Sequence, residues 1–123
     1  MPNLKLALAT NALFSGICAC IALVLAPEIS TWMGIHNAWI IRIIGGGLML
    51  FCLSLITVIG KAEPPIYLVL SIIALDLLWV LGSIVILMFP PTAFNESGET
   101  LITFMACLVG FLASWQFSAI WKR

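Results

Sequence analysis

Charge is scarce in this sequence. Five basic and five acidic side chains among 123 residues leave a formal charge of zero, so there is no basic surface to neutralise phosphates, and nucleic acid is not an expected partner. There is one histidine, His36, too few for a zinc or bis-histidine haem site within one chain. The four cysteines, Cys18, Cys20, Cys52 and Cys107, contain no C-x-x-C pair, which removes the usual membrane thiol oxidoreductases. All four lie inside apolar runs and read as small hydrophobes, and Cys18 and Cys20 leave a helix on different faces. Gly45-Gly46-Gly47 lacks the rest of a phosphate-binding loop. With no nucleophile beside a base, no metal-ligand cluster and no cofactor motif, the sequence points away from an enzyme, and no metal or cofactor is expected.

What is abundant is apolar surface. Hydrophobic residues make up 63% of the chain and the mean hydropathy is +1.23, values that belong to polytopic membrane proteins rather than soluble domains. A helix needs about 20 apolar residues to cross the roughly 30 Å hydrocarbon core. Four such runs can be placed, at about residues 5–26, 39–59, 66–89 and 101–121. The first is longer than the apolar core of a secretory signal and is read as a span. The expectation is an all-α protein, a transmembrane four-helix bundle forming one domain over residues 1–123. Residues 27–38, between the first two spans, read as a polar-aromatic connection. Lys61 to Pro65 reads as a tight turn, and residues 92–100, with Glu96 and Glu99, as a loop that includes the Asn95-Glu96-Ser97 sequon.

Orientation follows from the basic residues near the span ends. Lys5, Lys61, Lys122 and Arg123 fall on one side; the other has Arg42 with Glu28, Glu96 and Glu99. The positive-inside rule then puts both termini in the cytoplasm. His36, Trp39 and Arg42 fall at the outer interface, where an indole is at home and Arg42, about one turn into its span, can snorkel to the headgroups.

The third run carries Asp76 near its middle, at a depth where an ionised group is costly and needs a partner or a task. Counting about 1.5 Å per residue from the cytoplasmic ends places Asn11, Ser15, Ser54, Asp76, Ser114 and Gln116 in one layer roughly 8 to 18 Å deep. Ile72, Asp76, Trp79 and Ser83 share a helix face. The same count separates Arg42 from Asp76 by about 10 to 15 Å in depth, too far for an ion pair. Small residues form ladders on the first span (Ala9, Ala12, Gly16, Cys20) and the last (Ala106, Gly110, Ser114, Ser118), with Gly45 and Gly46 on the second. Such ladders let helix backbones approach closely. The first and last spans are expected to pack together through them, or else to use one as a dimer seam. Beside the first ladder runs Ala7, Asn11, Ser15 and Ala19, the stripe expected to look into the bundle.

The size and four-span plan are similar to those of the small multidrug resistance exporters, antiparallel dimers with one essential membrane glutamate. In that family the acid lies in the first span. Here the first span carries Asn11 and the acid is in the third, so no residue carries over. The N-A-x-x-S-G segment (Asn11 to Gly16), R-x-x-G (Arg42 to Gly45) and D-L-L-W-V-x-G-S (Asp76 to Ser83) resemble small uncharacterised four-span bacterial integral membrane proteins. This resemblance implies a fold rather than an activity. The missing C-x-x-C separates the chain from the vitamin K epoxide reductase type of bundle.

Two functions are therefore expected to compete. In the first, a small protein of the bacterial inner membrane acts by helix association, as a homo-oligomer or an accessory subunit of a larger complex, with Asp76 as hydrogen-bonded glue. In the second, a dimer couples protons to transport of a small cationic or amphipathic solute. Asp76 would then exchange proton for substrate, Trp79 would offer a cation-binding face, and Asn11, Ser15 and Gln116 would line the path.

Overall fold

The computed structural model describes residues 2–35, 37–89 and 95–121. Met1, His36, residues 90–94, Lys122 and Arg123 lie outside them. The described chain is helical: α1 (Pro2–Val24), α2 (Ala26–Met33), α3 (Ala38–Ile59), α4 (Ile66–Met88) and α5 (Glu96–Trp121). All but α2 are long and apolar enough to cross a membrane, and the chain is an integral membrane protein built as an all-α four-helix bundle. Helices suit that solvent because each backbone N–H and C=O is satisfied within its own segment.

Two segments expected to be irregular are helical. The polar-aromatic connection contains α2. Pro27 lies in its first turn, where the missing N–H is no loss. The same missing N–H breaks the run from α1, at Leu25. At its other end Gly34 adopts φ 82°, and the Gly34 and Ile35 N–H groups return to the Thr31 and Ser30 carbonyls at 3.1 and 2.8 Å. This is a Schellman-type stop, a conformation that favours glycine. The loop before the last span is also shorter than its polarity suggests, because α5 already starts at Glu96. The Asn95 carboxamide oxygen accepts the Gly98 N–H at 2.9 Å as the helix cap. The other end of that carboxamide donates to the Trp32 carbonyl at 2.8 Å, and the Asn95 N–H donates to the Met33 carbonyl at 3.1 Å. Asn95 thus ties α5 to the end of α2, and the sequon asparagine is part of the scaffold.

Around the bundle α1 lies beside α3 and α5, and α4 lies beside α5. Although consecutive, α3 and α4 touch only slightly, while α1 and α4 face each other diagonally with no Cα pair within 8 Å. The core near the chain termini joins Leu4 and Leu8 of α1, Leu55 and Val58 of α3, Val69, Ile72 and Ile73 of α4, and Ala113 and Ala119 of α5. At the far end Ala22, Ala26, Met33 and Ile41 form a second cluster, which α2 helps to cover.

The small residues divide unequally. α1 and α3 approach closely: a Cβ on Gly45 would stand 3.0 Å from the Ala22 Cβ and 3.0 Å from the Leu23 Cγ, and one on Gly16 would stand 3.1 Å from the Cys52 Sγ. Ala12 is buried at this contact, and its carbonyl accepts from the Cys52 thiol at 3.2 Å. The partner of the first ladder is therefore the second span, not the last. Gly46 and Gly110 make no such contact, a Cβ on either meeting nothing within 4 Å, and Ser114 and Ser118 are exposed. The α5 ladder faces outward because α5 turns the other side, with Leu112, Ala113, Gln116 and Ala119, into the bundle.

Candidate functional site: a buried carboxyl-amide cluster

Three helices bring polar side chains together inside the bundle. The positions Ala7, Asn11, Ser15 and Ala19 fall on the buried face of α1, Ile72, Asp76 and Ser83 on that of α4, and Gln116 on that of α5. Asn11, Asp76 and Gln116 are 1%, 4% and 0% exposed, so their polar atoms must satisfy one another.

They do so in a closed triangle. The Asn11 Nδ2 donates to the Asp76 Oδ2 at 2.9 Å and to the Gln116 Oε1 at 3.1 Å. The Gln116 Nε2 donates to the same Asp76 oxygen at 2.9 Å. Ser15 extends the cluster, its Oγ donating to the Asn11 Oδ1 at 3.4 Å. Asn11 spends both amide hydrogens and its carbonyl here, so it is the hub. Because α1 and α4 stand apart as diagonal helices, the Asn11-Asp76 bond spans the middle of the bundle. Among the described residues no buried side-chain nitrogen or oxygen lacks a partner.

Other members of the expected layer lie elsewhere. Ser54 and Ser114 are exposed and donate back to the carbonyls of Leu50 and Gly110 at 2.9 Å each, the four-residue back-bond that lets a hydroxyl face lipid. So α3 contributes nothing to the cluster. Trp79 is half-buried one turn beyond Asp76, where its backbone carbonyl accepts the Ser83 hydroxyl at 2.8 Å. Arg42 is remote from the carboxylate, its Cζ 5.0 Å from the centre of the Trp39 ring. His36 lies outside the described residues. No protein-family model matches this chain, and no curated protein or solved structure does either.

Chemically, the cluster aims amide hydrogens at one carboxyl oxygen from two helices. Such an arrangement fixes α1, α4 and α5 relative to one another. Asp76 lines neither of two surface grooves: the one between α1 and α3 is lined by Ala9, Ala12, Gly16, Cys52 and neighbouring apolar residues, and a smaller one on α5 by Phe111, Ser114, Trp115 and Ser118. Among the described residues no three His, Cys, Asp or Glu side chains gather as metal ligands would.

Proposed function

We propose that this chain is a noncatalytic membrane protein that works by association within the bilayer, as a homo-oligomer or as an accessory subunit of a larger membrane complex. The observation that carries the reading is the outward face of α5. Ala106, Gly110, Ser114 and Ser118 recur there every four residues; among the described residues a Cβ on Gly110 would meet nothing within 4 Å, and both serines are exposed. Small side chains on one strip of a membrane helix are what a second helix needs for close approach. Asp76 has its donors inside the bundle and serves as internal glue, which weighs against proton-coupled transport, since a transport site would have to take the carboxyl away from Asn11 and Gln116.

The test is disulfide trapping in native membranes. With Cys18, Cys20 and Cys107 changed to alanine, Ser114→Cys should crosslink several-fold more than Leu77→Cys, which is as exposed but on α4. A homodimer band and a heavier adduct both support association. Equal, low crosslinking at the two positions, with a monomer in mild detergent, overturns it.

We further propose that the protein resides in the bacterial inner membrane with both termini cytoplasmic, because Lys5 and Lys61 share one end of the bundle and Glu28, Glu96 and Glu99 the other. A cysteine placed at Glu96 should then react with an impermeant thiol reagent added outside spheroplasts. Reaction only after lysis would invert the orientation.

A further inference from the structure

Arg42 stands four residues after the start of α3, about 6 Å along the helix, at the end that also carries Trp32 and Trp39, both more than half exposed. Indoles so placed mark the headgroup level. The guanidinium lies over the Trp39 ring, its Cζ 5.0 Å from the ring centre, within cation-π reach. That contact leaves the five guanidinium N–H donors to be satisfied. Among the described residues they have no hydrogen-bond acceptor, and no carboxylate lies within ion-pair distance, although Glu28, Glu96 and Glu99 share that end of the bundle. A half-buried cation this near the apolar core needs an acceptor, and the bilayer supplies one at this depth.

We propose that Arg42, seated on Trp39, clamps the phosphodiester of one phospholipid headgroup at the far end of the bundle. The guanidinium fork matches the spacing of two phosphate oxygens and forms charge-assisted bonds to them. The three glutamates oppose any preference for additional negative charge, so the site selects phosphodiester chemistry over net headgroup charge. Zwitterionic and anionic phospholipids should both be held.

The experiment is native mass spectrometry of the full chain in mild detergent, titrated with phosphatidylcholine, phosphatidylglycerol, a phosphate-free diacyl galactolipid and inorganic phosphate. The wild type should hold one molecule of either phospholipid, and neither of the other two probes. Arg42→Gln should weaken both phospholipids by about tenfold or more, the effect of losing charge-assisted hydrogen bonds, and Arg42→Lys should weaken them less. Trp39→Leu keeps the charge but removes the stack, so it should weaken binding several-fold and gives a second reading if Arg42→Gln folds poorly. Unchanged lipid binding in both Arg42→Gln and Trp39→Leu overturns the proposal. So does equal retention of the galactolipid, which would reflect acyl chains alone, or equal binding of inorganic phosphate, which would mark a free-anion site. Loss of an oligomer in Arg42→Gln without loss of lipid would instead assign Arg42 to a partner's carboxylate.

Discussion

Leucine in place of Gly45 should destabilise the bundle by about 2 to 3 kcal/mol, the cost of overpacking a tight contact. The first atom added would already stand 3.0 Å from the Ala22 Cβ, which has no rotamer with which to move away, and 3.0 Å from the Leu23 Cγ. Relief requires α1 and α3, the most extensively packed pair among the described helices, to separate. Gly47→Leu is the matched control, since a Cβ there meets nothing within 4 Å and the side chain projects outward. It should unfold within about 0.5 kcal/mol of wild type. Reversible unfolding in mixed detergent micelles reads both. Since leucine is the better helix former at both positions, equal losses would mean that the α1-α3 contact does not set the cost.

Removing the hub of the polar cluster should be nearly as damaging. Asn11→Leu takes one of two donors from the Asp76 Oδ2, strands the Gln116 Oε1 and leaves the Ser15 hydroxyl without its acceptor. Leaving buried polar groups unpaired should cost about 2 kcal/mol, near the upper end of measured hydrogen-bond effects between membrane helices. Asp76→Asn should behave differently. Its carboxamide oxygen can occupy the Oδ2 position and accept both amides, so the loss should stay below about 1 kcal/mol in the same unfolding assay. If Asp76→Asn is as destabilised as Asn11→Leu, the carboxyl group itself holds the helices. If proton-driven uptake is found and vanishes only in Asp76→Asn, the glue reading gives way to transport.

The four spans were legible because apolar runs of this length admit few other readings. The buried face of α1 was legible for a similar reason: in a helix that is otherwise apolar, Asn11 and Ser15 can avoid lipid only by turning inward with Ala7 and Ala19. Height along a helix could be counted from the sequence, but direction around it could not. That is why Ser54 and Ser114 joined the polar layer on paper while in the fold they face outward, satisfied by their own backbones. The α5 ladder failed to meet α1 on the same ground, since regular spacing defines a strip without saying what it faces. The two extra stretches of helix were hidden by polarity. Pro27 with Gly34, and Asn95 three residues before Gly98, are capping signals. They act through backbone hydrogen bonds, to which side-chain hydropathy is blind.

The Asn11-Gln116 bond joins residues 105 positions apart, on the first and last spans. This sets an order on biogenesis. The α1-α3 contact at Gly45 and Ala22 can form once the second span is in the membrane, whereas Asp76 arrives with α4 while one of its two donors is still to be made. The carboxyl group must wait, exposed to lipid, the insertion machinery or Asn11 alone, until translation delivers Gln116. The cluster can close only after α5 has entered the membrane, so the insertion of that helix and the completion of the core are one event.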